Sequence, residues 1–312
     1  MTTARDRLLA VVDRELTTVV RTPVYVAVAL GFAVILLGLT LASGTTGYVP
    51  VTVDLLTPVE VLVPLLAVAF GYRAIQADAA GKELAVLRTY PLPRWAYVLG
   101  VYLGRATVVL SVVFVTLLLA GILTALLAPG GNPAIATHGG EGSFTAYLRF
   151  VLLATLYAGV VLAAVVAVST VAATGRSAIA AAVGLVVLLV VGLDLGLVGA
   201  LSAGVVGPGG LRYLLALSPA SAFRGLVLAL SVQTVEAATV PASAILANVV
   251  GLALWLGGSL ALATRTVWAL PDDDHWEVVD AGADLGEATA EGAAAGDGSD
   301  GEENAGAGTA GD

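Results

Sequence analysis

The residues that could perform chemistry in this sequence are a few charged side chains between long apolar stretches. Gly81 and Lys82 match the end of a phosphate-binding P-loop, but the motif also requires a glycine where Gln76 stands and a hydroxyl residue where Glu83 stands. Cysteine is absent, and the two histidines lie far apart in the chain. Neither a His-Glu-x-x-His pair nor a Gly-x-Ser-x-Gly motif occurs. We therefore expect no catalytic residue, no metal site and no ATPase site in this chain.

Polar residues inside apolar stretches are the next candidates, since ionisable groups are expensive in a membrane and usually functional there. Glu60 lies between Pro58 and Pro64, where prolines can free backbone carbonyls. We take Glu60 and Asn248 as candidates for a translocation pathway, with helix-to-helix hydrogen bonding as the alternative for Asn248. Asp194 comes late in its apolar stretch, so the helical rise predicts a place near the outer interface.

The overall composition is that of a membrane protein. Hydrophobic residues make up 58% of the chain, charged residues only 12%, and mean hydropathy is +0.96. The net charge of −9 arises from the segment 271–312, which holds 13 of the 23 acids and no base. The remainder carries 14 bases against 10 acids, and a single lysine in an acidic chain indicates a halophilic prokaryote. Nothing predicts a nucleic-acid partner.

The order of apolar and polar segments predicts an all-α, polytopic membrane protein. Residues 1–22 read as a cytoplasmic amphipathic helix, residues 23–270 as a six-helix transmembrane domain, and residues 271–312 as a disordered acidic tail. The segment 202–241 is too apolar for a plain loop and predicts an external re-entrant pair of short helices, broken at Ser218 and Pro219. Six transmembrane spans are predicted, at about 24–42, 55–72, 95–127, 150–173, 178–201 and 242–263.

The distribution of basic residues predicts the orientation of these spans. Eleven of the 14 bases fall at one end of the predicted bundle and three at the other. The positive-inside rule predicts that the end richer in bases faces the cytoplasm. We therefore expect a multi-pass protein of the cell membrane with both termini in the cytoplasm. The third span is longer than a bilayer requires, so we expect its first turns to project into the cytoplasm and Arg105 to snorkel to the lipid headgroups.

The loop from Gly71 to Arg105 holds the main cluster of charge. A helix is predicted from about Ile75 to Arg88, with a partial apolar face and with charged residues directed outward. Such a surface suits docking of a soluble partner, although a solvated loop that merely obeys the charge rule is the alternative. The predicted docking residues are Asp78, Lys82, Glu83, Arg88 and Arg94.

Three stretches in this order resemble the permease subunits of type-2 ABC transporters, the exporter class. They are DRELTTVVRTP before the first span, QADAAGKELAVLRTYPLPRWAYVLGVYLG after the second, and SPASAFRGL before the last. The third stretch is similar to the permease subgroup that serves maturation of the copper enzyme nitrous oxide reductase. The resemblance covers about residues 8–268. It implies a transport subunit that dimerises and binds a separate ATPase subunit carrying the ATP.

Two other classes of function stay open on the sequence alone. A non-transporting membrane scaffold or assembly factor could use the same loop for a different partner. A secondary transporter should show paired polar residues in two repeats, and the predicted spans offer little of this beyond Glu60 and Asp194. The transported substrate is not indicated by any residue pattern.

Overall fold

The computed structural model describes residues 4–43, 47–90, 92–127, 143–204, 213–232 and 242–268. The chain divides into two units, Met1–Leu270 and Pro271–Asp312, and the described residues belong to the first. The predicted acidic tail and parts of the predicted re-entrant segment lie outside them. The described elements are helical: α1 (Ala4–Arg21), α2 (Pro23–Ser43), α3 (Tyr48–Gly71), α4 (Gln76–Ala80), α5 (Glu83–Thr89), α6 (Arg94–Leu127), α7 (Phe144–Ser169), α8 (Gly175–Val187), α9 (Leu193–Ser202), α10 (Pro219–Leu230) and α11 (Ala242–Thr266).

Six helical stretches in the described part of the chain are long and apolar enough to cross a membrane. They correspond one to one with the predicted spans, and the all-α polytopic fold is confirmed. Helix α3 starts at Tyr48, seven residues before the predicted start, and continues through Pro58 and Pro64. The fifth stretch comprises α8 and α9, joined by one π-helical turn at Leu188–Gly192.

Helix α7 forms the centre of the bundle. It packs against α3, α6, α10 and α11, and most of its residues are buried. Its aromatic side chains fill that centre: the Tyr147 ring lies against Gly121, and the Tyr157 ring stacks on Phe223 with centroids 4.9 Å apart. By contrast, α2 and α11 bury few of their residues, as expected of helices that face lipid.

The N-terminal helix α1 packs lengthwise on the first turns of α6. Two glycines of α6 permit this approach, because a Cβ on Gly100 would lie 2.7 Å from the Cβ of Val11 and one on Gly104 would lie 2.5 Å from the Cβ of Glu15. Small residues at a four-residue spacing commonly allow two helices to approach closely. Helix α1 is therefore fixed to the bundle along its length, and Glu15 and Val19 are buried against it.

The helix predicted from Ile75 to Arg88 is two short helices. Helices α4 and α5 are separated by Gly81 and by Lys82, whose φ of 59° is left-handed. A left-handed residue after a glycine ends a helix, and the next one starts in a new direction. We call the segment Gln76–Thr89 the elbow.

Candidate functional site: the elbow and its ion pairs

A continuous set of ion pairs joins the elbow to α1 and α6. Arg14 contacts Asp78 of the elbow at 2.5 Å and Glu15 at 2.9 Å, and the other carboxylate oxygen of Glu15 accepts from Nε of Arg105 at 2.9 Å. Arg105 also donates to the carbonyl oxygen of Phe70, near the end of α3. We call these four charged residues, from Asp78 to Arg105, the ion-pair chain.

The ion-pair chain is deeply buried at its inner end. Glu15 is 3% and Arg105 is 6% exposed, so neither can be solvated by water or headgroups. Two positive and two negative charges alternate along the ion-pair chain, so each buried charge has a partner of opposite sign. The expectation that Arg105 snorkels to the headgroups is wrong, because Glu15 and the Phe70 carbonyl supply the partners that it needs inside the protein.

Arg14 is the branch point of the ion-pair chain. In addition to Asp78 and Glu15 it reaches Glu83 at 3.4 Å, so it contacts both helices of the elbow. Burial alone lowers the pKa of Arg14, but the hydrogen bond and the negative charge of Asp78, with that of Glu15, outweigh this effect. The pKa of Arg14 is raised above its ordinary value, and the guanidinium stays charged.

The five predicted docking residues occupy two kinds of position. Lys82, Glu83 and Arg94 are exposed at the surface of the elbow and at the start of α6. Asp78 points inward, where it also accepts a hydrogen bond from the Tyr97 hydroxyl at 2.7 Å, which corrects its predicted outward direction.

Arg88 is also directed toward the protein rather than outward. Its guanidinium donates to the Trp268 carbonyl at 3.0 Å and lies 5.6 Å from the centroid of the Trp268 ring. That ring stacks in turn on Tyr97, with centroids 5.8 Å apart. Asp78 and Arg88 therefore hold the elbow to the bundle. Lys82 and Glu83 form its exposed face, with Arg94 of α6 exposed nearby in the chain.

A second charged cluster lies between α3 and α10. Arg224 makes a bidentate contact with Glu60, at 2.8 and 2.5 Å, and the Ser221 hydroxyl donates to Asp194 at 2.7 Å. Glu60 is 2% exposed, whereas the Arg224 side chain is 46% exposed. Sequence reasoning identified Glu60 but not its partner, and Asp194 is hydrogen-bonded to α10 rather than merely solvated.

Helix α10 begins where the sequence predicted a break. The Ser218 hydroxyl caps it by accepting from the Ser221 amide at 3.3 Å, and Pro219 occupies its first turn. Asn248 of α11 is buried against Gly225 of α10, where a Cβ would lie 2.6 Å from the Asn248 amide nitrogen. Asn248 thus packs against a neighbouring helix.

Glu15 and Tyr97 are two members of the site around the elbow that sequence reasoning missed. Glu15 lies at helical spacing from two apolar residues of α1, Val12 and Val19. This spacing places Glu15 on the apolar face of the helix. An acid on that face could have been matched with Arg105, a base inside the predicted third span. Tyr97 carried no such signal, because an aromatic residue at the start of a span usually marks the membrane interface.

The folded chain is thus a polytopic α-helical membrane protein with a charged elbow tied to one end of its bundle. A family model described as "ABC-2 family transporter protein" matches residues 9–270. The chain belongs to this family and is a membrane permease of the ABC transporter class. Membership in the family implies an ABC ATPase partner.

Two curated relatives are named as probable ABC transporter permeases. The chain is 32% identical over 264 residues to the "probable ABC transporter permease protein NosY" of Pseudomonas aeruginosa. The aligned region covers 80% of this chain and 94% of that protein. It is 31% identical over 157 residues to the protein of the same name from Stutzerimonas stutzeri, which covers 48% of this chain and 54% of that one. The predicted resemblance to type-2 ABC permeases is confirmed.

Proposed function

We propose that this chain couples ATP hydrolysis by a separate ATPase subunit to translocation of a substrate across the cell membrane. The chain itself supplies no ATPase site, and the ATP is bound by the partner. The elbow receives the partner, and its movement is passed to the membrane helices. The observation that supports this mechanism most directly is the ion-pair chain, which links a surface-exposed elbow to three long helices.

The physical basis of the coupling is the stiffness of those contacts. Asp78 belongs to α4, Glu15 to α1, Arg105 to α6, and the accepting carbonyl of Phe70 to α3. Charge-assisted hydrogen bonds are short and directional, so displacing one member displaces the others or breaks a buried pair. Since a broken pair would leave an unsolvated charge, moving α1, α3 and α6 together with the elbow is the less costly response.

The exposed face of the elbow suits a protein partner. Lys82 and Glu83 lie at the turn between the two short helices, and Arg94 lies at the start of α6. We propose that these three side chains contact the ATPase subunit, while Asp78 and Arg88 set the shape of the surface. Both termini then lie in the cytoplasm, and the excess of basic residues at this end of the bundle agrees with that orientation.

Near the middle of α3, the Glu60–Arg224 pair is the candidate gate of the translocation pathway. It joins the long helix α3 to the short helix α10 by two hydrogen bonds from a half-exposed guanidinium. A pair with one hydratable partner can open at lower cost than a fully buried one. We propose that α10 separates from α3 when substrate leaves, with Asn248 holding α10 against α11.

Two copies of this chain would supply twelve spans, and we propose that the working permease is a homodimer. The apolar side chains left exposed on α2, α9 and α11 offer faces for lipid or for a second copy. Cross-linking of single-cysteine variants would identify the face in contact, since the natural chain has no cysteine to interfere.

The decisive experiment is co-purification of the chain with its ATPase subunit. We expect Lys82→Glu to reduce the amount of co-purified ATPase at least tenfold, because it reverses a charge on the exposed face of the elbow. Arg5→Glu is the matched control, since Arg5 is exposed at the start of α1 and makes the same change of charge away from the elbow. Unchanged co-purification with Lys82→Glu and Arg94→Glu would contradict docking on the elbow.

A further inference from the structure

An apolar groove of about 400 Å³ runs between α2 and α6. Tyr25, Ala29 and Ala33 form one wall, Ser111 and Val115 form part of the other, and the C-terminal turn of α1 closes one end. Nearly all of the lining is hydrocarbon. The groove is open on the side where α2 exposes its apolar side chains.

The dimensions of the groove match one leaflet of a bilayer. From Tyr25 to Ala33 the helical rise gives about 12 Å, and from Val108 to Leu119 it gives about 16 Å. Half of a typical hydrocarbon core is about 15 Å. An open apolar groove at this depth is suited to a hydrocarbon chain lying along the helices, because no water is present there to fill it.

The end of the groove closed by α1 carries polar groups that suit a headgroup. Arg21 follows Val20, which lines the groove, and its side chain is exposed. Tyr25 lies one turn further along the chain, at the start of α2, with its ring against Phe70. Within the described part of the chain, neither the Arg21 guanidinium nor the Tyr25 hydroxyl has a hydrogen-bond or ion-pair partner. A cation and a hydroxyl donor beside a hydrocarbon groove complement a phosphate with an attached acyl chain.

We propose that this groove binds one anionic phospholipid, with an acyl chain between α2 and α6 and its phosphate at Arg21 and Tyr25. The lipid completes the contact between α1, α2 and α6, next to the helix that carries Arg14 and Glu15. The site does not depend on the orientation of the protein or on the ATPase, so its failure and that of the proposed function are distinguishable.

The test uses the purified full chain in nonionic detergent, with phosphatidylglycerol and phosphatidylcholine added separately. Native mass spectrometry counts bound lipids, and a thermal shift measures stabilisation. We expect one phosphatidylglycerol per chain to bind about fivefold more tightly than phosphatidylcholine, and Arg21→Gln to abolish this preference. Equal binding of the two lipids by the natural chain would overturn the proposal.

Variants that fill the groove test the acyl-chain site from both walls. Ala33→Phe and Ser111→Phe should each lose the bound lipid, whereas Val34→Phe, at an exposed neighbouring position outside the lining, should keep it. Retention of lipid by both filled variants would refute the site. Disulfide formation between two copies of Val26→Cys in the absence of reductant would show that a second copy covers the groove, and would also overturn the proposal.

Discussion

Replacing Glu15 by glutamine tests the ion-pair chain at its most buried link. The change removes the negative charge between Arg14 and Arg105 and leaves the volume of the side chain almost unchanged. Arg105 is 6% exposed and cannot be hydrated in response. Removing one partner of a buried pair typically costs about 3–5 kcal/mol. We expect a loss near the lower limit, about 3 kcal/mol, because the Phe70 carbonyl still accepts from the guanidinium.

The measurement is the free energy of unfolding in detergent micelles, followed by loss of helical circular dichroism. Glu83→Gln is the matched control, because it makes the same chemical change at the outer end of the same network. The Arg14–Glu83 pair is longer, at 3.4 Å, and the Glu83 side chain is 64% exposed. Exposed pairs contribute at most about 1 kcal/mol, so the control should be near neutral.

A double variant distinguishes the loss of stability caused by an unpaired charge from a loss caused by general disruption of α1. Glu15→Leu combined with Arg105→Met replaces both charges by apolar groups, and such replacements of buried pairs are often neutral. We expect the double variant to be more stable than either single one. The reasoning is refuted if Glu15→Gln is no more destabilising than Glu83→Gln, or if the double variant loses the sum of the two single changes.

Three further predictions address the other contacts. Gly104→Ala should destabilise the chain by about 1–3 kcal/mol, since its Cβ would lie 2.5 Å from a side-chain carbon of α1. The control Gly31→Ala, with open space around it inside α2, should be neutral or stabilising by up to about 1 kcal/mol in the same unfolding assay. Arg224→Gln should destabilise more than Glu60→Gln, because the buried carboxylate cannot be hydrated and the half-exposed guanidinium can; equal losses would contradict this asymmetry. Lys82→Gly should stabilise by up to about 1 kcal/mol by relieving a left-handed conformation, yet lose co-purification with the ATPase; retained binding would exclude a role for that charge.

The fold was largely predictable from the sequence, since each span is a local property of the chain. A run of about 20 apolar residues must satisfy its backbone hydrogen bonds internally in a membrane, whatever it packs against. The predicted boundaries therefore lie close to those of α2, α6 and α11, and the helix break at Pro219 was found from its turn residues. The early start of α3 was missed because Asp54 and Pro50 read as a link.

The site was predictable only as a region. The density of charge between Gly71 and Arg105 indicated the elbow, but the directions of its side chains depend on what packs against them. Asp78 turns inward because Arg14 and Tyr97 lie there, and those residues are 64 and 19 positions away in the chain. No periodicity within the loop carries that information.

The sequence by itself determined that this chain is a helical membrane protein with a basic loop between its second and third spans. Hydrophobicity and length act residue by residue, so they can be read without knowing any neighbour. Only the tertiary structure decided which charges are paired: Glu15 with Arg105 across 90 residues, and Glu60 with Arg224 across 164. The energy of a buried charge depends on the partner that folding brings to it, and that partner is set by helix packing rather than by distance along the chain.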